Sequence, residues 1–225
     1  MTIVPGCSTA RARLPQAASI QNLDSNSVPS NVVIVRGNVG YWPDCNSFVE
    51  NLNREDCAAT VIRGWEVNRT ADKIVATRQS GDEPRPMVLI GYSRGANDAI
   101  RLSRRLQNNG IQVDMLILME TAAQDSVPAN VAACLNIYKS SPIAEDWVPA
   151  FQGLPVTVES PHTELVNYNL RYHDETASAT SLVQFAVCQN PNVQGMIADR
   201  VAQTLRPEKT VAEPERDEAQ LAGQP

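Results

Sequence analysis

A chain of 225 residues with a formal net charge of −6 is large enough to bury one good core, and α/β domains of this size usually form a single unit. The sequence has no basic cluster that could follow a phosphate backbone, so a nucleic acid is not expected as a partner. It also has no run of about 18 apolar residues, and no transmembrane segment is predicted.

Composition divides the chain into three regions. Residues 1–30 are small, polar and proline-containing, which predicts a disordered or loosely packed arm. Residues 31–206 alternate apolar runs with segments of helical spacing, as expected of one folded domain. Residues 207–225 are charged and poor in bulky apolar side chains, so a disordered acidic tail is predicted.

The cysteines bear on the compartment. Residues 4–7 read Val-Pro-Gly-Cys, which loosely resembles the end of a bacterial lipoprotein signal and would make Cys7 a lipidation site; the alternative is a plain disordered terminus. The even set Cys45, Cys57, Cys134 and Cys188 predicts either disulfides, with Cys45 and Cys57 as the favoured pair, or small buried thiols. The compartment stays open, with export or attachment to the cell envelope favoured over the cytoplasm.

Short β-branched runs alternate with helical segments along the domain. Residues 130–138 fit neither period well, but their β-branched and aromatic side chains favour a strand. The alternation predicts a three-layer α/β/α fold with a mostly parallel sheet. Strands are predicted at 31–36, 58–65, 87–90, 111–119, 130–138, 156–159 and 164–170, and helices from 47, from 72, at 96–106, at 178–188 and, after a break at 191, at 193–205.

Two of the helix starts are predicted from capping residues. Ser47 followed by Glu50 matches a capping box, and Phe48 and Leu52 lie four apart on one face of the helix that would follow. Asp72 is the expected cap of the next, shorter helix.

Residues 91–95 read Gly-Tyr-Ser-Arg-Gly and stand between a predicted strand and a predicted helix. A G-x-S-x-G in this context is typical of a nucleophile elbow, in which a sharp strained turn presents a serine hydroxyl at the head of a helix. Gly91 and Gly95 meet the need for small residues where strand and helix approach closely. The motif predicts Ser93 as the nucleophile and the backbone N–H of Arg94 as a donor to the oxyanion.

The chain offers two histidines as the base for Ser93, His162 and His173. His173 follows the predicted strand 164–170 and precedes the next helix, which puts it at the same edge of the sheet as the elbow. His162 precedes that strand and falls at the opposite edge, about 20 Å away. His173 is therefore the predicted base.

A carboxylate is needed to fix the tautomer of the base. Glu120 ends the strand after the elbow helix, should emerge beside Ser93, and keeps the order serine, acid, histidine. Asp146 is the alternative acid if the carboxylate comes one strand later, and Asp125 is a third candidate. Glu120 is the preferred one.

The second oxyanion donor is expected in the loop after the first strand. Gly37 lets the backbone turn into the pocket, so the N–H of Asn38 is the predicted donor, with that of Val39 as the alternative. Tyr41 and Trp42 follow and are interpreted either as walls of an acyl pocket or, for Trp42, as a core residue.

The elbow, the strand 33–37 and the segment 113–120 together resemble the α/β-hydrolase superfamily, in its small lidless lipase, esterase and thioesterase-like branch. The resemblance covers about 31–205 and implies a serine hydrolase that cleaves a carboxylic ester or thioester through an acyl-enzyme, needs no metal or organic cofactor, and acts on small or carrier-borne acyl groups. Tyr92, Arg94 and Glu120 depart from the commoner residues of that pattern. They leave open an inactive copy that serves as a binding or scaffold protein. Cys7 leaves open a lipid-anchored envelope protein, which could also be a hydrolase.

Overall fold

The computed structural model describes residues 30–36, 42, 45–54, 57, 59–80, 86–140, 153–173 and 186–206. The predicted arm, the predicted tail, Cys7 and most of the predicted helix 178–188 lie outside these residues. Of the described helices, none is long and apolar enough to cross a membrane.

Eight strands form, seven of them where the sequence predicts a strand, whereas the short strand β5 was not predicted. Five of the six strands in the central sheet are buried on both faces, which is why they read as continuous β-branched runs rather than as alternating ones. The ambiguous segment 130–138 is a strand, as predicted. The strands are β1 (Val32–Arg36), β2 (Ala59–Arg63), β3 (Val88–Tyr92), β4 (Val113–Met119), β5 (Ser126–Val127), β6 (Val131–Tyr138), β7 (Thr157–Val158) and β8 (Glu164–Asn169).

The central sheet has six strands in the order β2-β1-β3-β4-β6-β8, and every neighbouring pair is parallel. Tyr92, Met119, Ile137 and Tyr168 stand side by side at one level of this sheet. All six strands therefore end together, at what we call the carboxyl edge. Strands β5 and β7 pair separately in a small parallel sheet.

Helices cover both faces of the sheet. They are α1 (Cys45–Arg54), α2 (Val67–Gln79), α3 (Arg94–Gln107), α4 (Ala186–Gln189) and α5 (Pro191–Leu205). One core layer lies between the sheet and α1, α4 and α5, where Phe48, Val187 and Ile197 are buried. The other lies between the sheet and α2 and α3, where Ala71 and Ile100 are buried. This is the predicted three-layer α/β/α arrangement.

Both capping predictions were wrong, because burial of an apolar stripe extends each helix beyond the cap. Helix α1 begins at Cys45 and not at Ser47, since Cys45 is 3% exposed and packs in the same layer as Phe48. Helix α2 begins at Val67, which is fully buried, so Asp72 lies in the middle of the helix.

The predicted strand 58–65 is also shorter than expected. After Arg63 the chain forms a 3-10 turn (Gly64–Glu66), in which the backbone N–H of Arg63 donates to the Glu66 carboxylate at 2.8 Å. Trp65 is consequently 58% exposed, with the Arg63 guanidinium 4.9 Å from its ring centroid.

The four cysteines of the described part of the chain are buried and form no disulfide. The favoured Cys45–Cys57 bridge is thus not formed, and both thiols lie in the layer of α1 and α5 as small apolar groups. Burial raises the pKa of Cys45 to about 11. Cys134 and Cys188 pack on opposite faces of the sheet, so the sheet itself separates them.

Candidate active site

The elbow at the end of β3 has the strained backbone that the motif predicts. Ser93 has φ 55° and ψ −124°, a region that L residues rarely occupy, and its side chain is half-exposed. Its N–H donates to the carbonyl of Met119 at 2.8 Å, which ties the turn to the end of β4. Ser93 is thus held at the carboxyl edge immediately before α3.

Gly91 is required by the close approach of β3 to α3. A Cβ atom at this position would meet the carbonyl oxygen of Gly95, and would lie 2.6 Å from Cα and 2.8 Å from N of Ala96. Gly95 is buried at this contact. All three atoms belong to the backbone, so no side-chain rotation could make room.

Arg94 begins α3 with an exposed side chain. The first four N–H groups of a helix have no acceptor inside it, so the N–H of Arg94 is available to an oxyanion beside Ser93. No acidic residue stands in the first turn of α3. A cation at this end opposes the helix dipole and costs about 0.3–1 kcal/mol, so the fold gains nothing from the charge of Arg94.

Tyr92, the other unusual residue of the elbow, belongs to the core. It is 2% exposed, and its ring lies 5.5 Å from that of Trp42, which in turn stacks on Phe48 at 5.5 Å. Of the two interpretations of Trp42, the core role is the one that the structure supports. Tyr41 lies outside the described residues.

Glu120 ends β4 beside the elbow. Its φ is 50°, and it is 1% exposed. One carboxyl oxygen accepts the backbone N–H of Lys139 at 3.2 Å, and the carboxyl group also accepts that of Gly153. A Cβ at Gly153 would lie 2.8 Å from the other oxygen. We call this arrangement the Glu120 clasp, since one carboxyl group binds the chain on both sides of residues 140–152.

Burial raises the pKa of Glu120 from 4.5 to about 8. The two backbone N–H groups and the charge of Lys139 act in the opposite direction but are outweighed by the loss of water. The carboxyl group of the folded protein is therefore mostly protonated at neutral pH.

This raised pKa predicts that the protein loses stability as the pH rises from about 5 to about 8. In that window the unfolded chain has released the proton of Glu120 while the folded chain retains it, so each pH unit lowers the free energy of unfolding by up to about 1.4 kcal/mol. Glu120→Gln removes the titrating group, and this part of the slope should disappear. Urea unfolding of both proteins at pH 5, 6, 7 and 8 measures how the free energy of unfolding depends on pH. The same pH dependence in wild type and Glu120→Gln would show that Glu120 is not the group responsible.

His173 lies in the turn after β8, over the ring of Tyr168, with ring centroids 4.0 Å apart and planes 6° from parallel. The 3-10 turn Leu170–Tyr172 that precedes it begins at Asn169, whose side-chain oxygen accepts the N–H groups of Arg171 (3.1 Å) and Ser140 (3.2 Å). The amide nitrogen of Asn169 donates to the Ser140 hydroxyl at 2.8 Å. Asn169 thus fixes the turn that carries His173 to the end of β6.

The structure brings some predicted residues together and leaves others apart. Ser93 and Glu120 are neighbours at the ends of β3 and β4. His173 lies in the turn after β8, a strand that is three places and about 14 Å from β3 in the sheet. Within the described residues, no hydrogen bond joins the Ser93 hydroxyl or the Glu120 carboxyl group to His173.

The alternative candidates for the acid, the base and the oxyanion donor lie away from Ser93 or outside the described residues. Asn38, Val39 and Asp146 lie outside the described residues. Asp125 forms an ion pair with Arg104 at 3.1 Å, so its negative charge is balanced by that guanidinium group. His162 is exposed in the turn before β8, at the edge opposite Ser93, as predicted.

Sequence reasoning missed a hydrogen-bonded set of polar residues behind the carboxyl edge, of which Asn136 and Thr121 are buried and Asn167 is exposed. Asn136, which is fully buried, donates to the carbonyl of Leu154 at 2.9 Å and to the side chain of Asn167 at 2.8 Å, and accepts from the Thr121 hydroxyl at 3.0 Å. Asn167 in turn exchanges two hydrogen bonds with the backbone of Val156. The available signal was the asparagine inside an otherwise apolar strand, because a buried amide must find partners.

No protein-family model and no curated protein matches the sequence. Among solved structures, the chain is similar to lipase B of Aspergillus fumigatus, with a TM-score of 0.51 and 13% identity over 77% of this chain and 52% of the lipase. It is also similar to the type II thioesterase BorB from the borrelidin biosynthetic cluster, with a TM-score of 0.35 and 14% identity over 76% and 90% of the two chains. The matched region spans about half the length of the lipase. The chain has the α/β-hydrolase fold predicted from its motifs.

Proposed function

We propose that this α/β-hydrolase fold is a serine hydrolase that cleaves a carboxylic ester or thioester through an acyl-enzyme. One observation carries the proposal. Ser93 and Glu120 are the described non-glycine residues with positive φ, and they end two adjacent strands at the carboxyl edge. Strained backbone at a functional edge is typical of active sites, and open α/β sheets bind their ligands at this edge.

In the proposed reaction the Ser93 hydroxyl attacks the acyl carbon while His173 takes its proton. The N–H groups of Arg94 and Asn38 hold the oxygen that becomes negative. Collapse of this intermediate expels the alcohol or thiol, which receives the proton from His173, and leaves the acyl group on Ser93. Water then attacks the acyl-enzyme with the same base and releases the acid.

Glu120 is the proposed acid and Asp146 the alternative. If Glu120 orients His173, the carboxyl group must be ionised, and kcat/KM should rise with pH through about 8 because burial raises the pKa of Glu120 to that value. Glu120→Gln should then remove the rise. If Asp146 is the acid, Asp146→Asn lowers kcat/KM and Glu120→Gln leaves its pH profile unchanged.

A binding or scaffold protein is the second candidate function. Within the described residues, the Ser93 hydroxyl has no hydrogen bond to a base, and the Glu120 carboxyl group is bound by two backbone amides. An assembled triad would instead join serine, base and acid by hydrogen bonds.

A fluorophosphonate probe separates the two functions, because the probe phosphorus forms a bond to an activated serine oxygen and releases fluoride. The wild-type protein should be labelled and Ser93→Ala should not. His173→Ala should be labelled on the order of 10²- to 10⁴-fold more slowly, which is the usual contribution of a general base.

Two control variants match these changes. Ser47→Ala removes an exposed serine of α1, and His162→Ala removes an exposed histidine at the opposite edge of the sheet, so both should be labelled like the wild type. A folded wild-type protein that resists the probe would favour the binding function. Labelling retained in Ser93→Ala would show that another residue is the nucleophile.

A further inference from the structure

Along the carboxyl edge stand three arginines that have no acidic partner among the residues that the structure describes. Arg63 ends β2, Arg94 follows Ser93 directly, and Arg171 lies in the turn after β8. None of their guanidinium groups forms an ion pair with a carboxylate of the described residues. Ser93 is placed between the first and the last of them.

The second half of α3 differs. Each of its three arginines forms an ion pair with an acidic residue, and Arg101 also donates to the carbonyl of Gly64, which follows β2 at the carboxyl edge. The pairs are Arg101 with Asp98 (3.1 Å), Arg104 with Asp125 (3.1 Å) and Glu159, and Arg105 with Asp72 (3.3 Å). Among the described residues, the arginines that follow Arg94 in α3 are therefore paired with carboxylates, whereas Arg94 itself, beside Ser93, is not.

Among the described residues, the acidic side chains near Arg63, Arg94 and Arg171 do not balance these three arginines. Glu66 accepts the backbone N–H of Arg63 and supplies one carboxylate. Glu120 is buried and mostly protonated at neutral pH. The described part of the edge is therefore positive around Ser93.

The three arginines lie at different distances from Ser93, so their effects on a bound anion differ. Arg94 is adjacent to Ser93, whereas β2 and β8 are about 10 Å and about 14 Å from β3. The Debye length at physiological salt is about 8 Å, so the charges of Arg63 and Arg171 are largely screened at Ser93, whereas Arg94 can act by contact. A guanidinium fork forms charge-assisted hydrogen bonds with a carboxylate or phosphate.

We infer that the substrate is an ester or thioester whose acyl chain carries an anionic group, bound by Arg94 next to Ser93. This inference rests on the proposed function and names the substrate class of the same site. Arg94 determines specificity and takes no part in proton transfer.

A matched pair of esters tests the inference. Mono-4-nitrophenyl adipate and 4-nitrophenyl hexanoate share the leaving group and a six-carbon acyl chain, and differ in the terminal carboxylate. With the uncatalysed rates subtracted, kcat/KM for the adipate should exceed that for the hexanoate by about tenfold or more, as a charge-assisted hydrogen bond allows. The ratio should shrink as salt is raised from 0.05 to 0.5 M, because salt screens the field.

Variants assign the preference to a residue. Arg94→Ala should lower the ratio of kcat/KM for the adipate to kcat/KM for the hexanoate about tenfold, whatever its effect on the hexanoate alone, and Arg94→Lys should retain part of the preference. Arg105→Ala, on the same helix but paired with Asp72, should behave like the wild type. Equal rates for the two esters, or a preference that survives Arg94→Ala, overturn the inference while the proposed function stands. If the wild type cleaves neither ester faster than Ser93→Ala does, the proposed function fails and the inference fails with it.

Discussion

Replacing Ser93 by glycine should abolish ester cleavage and at the same time stabilise the protein. The rate constant kcat should fall on the order of 10⁴-fold or more, because the nucleophile is lost. The serine is held at φ 55° and ψ −124°, a conformation that costs about 1–3 kcal/mol for a residue with a Cβ atom and little for glycine. Glycine also has more conformational entropy than serine in the unfolded chain, and this difference offsets about 0.5–1 kcal/mol of the stabilisation gained by relieving the strain.

Ser93→Ala is the matched comparison. It removes the same hydroxyl but keeps the Cβ atom and hence the strain. The two variants should be equally inactive, and the free energy of unfolding of Ser93→Gly should exceed that of Ser93→Ala by about 1 kcal/mol in urea titrations. A glycine variant less stable than the alanine variant would show that the backbone at Ser93 is not strained in solution.

Gly91→Ala should have the largest effect on stability. The added methyl group would be forced against the backbone of Gly95 and Ala96, with Cα of Ala96 at 2.6 Å. Overpacking of a core usually costs about 1–3 kcal/mol, and here only a shift of α3 against β3 can relieve it, so a loss of about 3 kcal/mol or more is expected. Because that shift displaces Ser93, labelling by the fluorophosphonate probe should be lost even in the molecules that remain folded.

The same substitution at Gly195 is a control with the opposite sign. Gly195 lies within α5, and a Cβ atom there would meet nothing within 4 Å. Alanine favours a helix interior over glycine, so Gly195→Ala should raise the free energy of unfolding by about 0.5–1 kcal/mol. Thermal unfolding of both variants measures the contrast. A Gly91→Ala protein as stable as the wild type would disprove the tight contact at the elbow.

The sheet could be predicted from the sequence because most of its strands are buried on both faces. Runs such as 32–35 and 115–119 are apolar and buried at every position, as expected of strands with a helix layer on each face. The elbow could be predicted for a related reason, since its two glycines and its position between strand and helix are local features.

Helix starts could not be predicted from caps. The Ser47 and Glu50 pattern is a local signal, but burying Cys45 and Val67 in the two core layers outweighs the contribution of a cap, which is about 1 kcal/mol. Sequence reasoning identified the elements and misplaced their ends for this reason.

The hydrogen-bond partners of Glu120 could not be predicted from the sequence either. Its position at the end of β4 follows from the strand pattern, but its two partners are backbone amides of Lys139 and Gly153, far along the chain. Every residue has a backbone amide, so no residue type marks such a partner. A carboxyl group predicted to orient a base is therefore found with its oxygens directed at the backbone.

The Glu120 clasp also holds the two ends of one connection in the chain. Lys139 and Gly153 are held to one carboxyl group, Ser140 to Asn169, and Leu154 to Asn136, so both attachment points are fixed by the sheet. Closing a longer chain segment between two fixed ends costs only about 0.6 kcal/mol for each doubling of its length. We therefore expect that the length of the connection between these attachment points can change at little cost to the stability of the sheet.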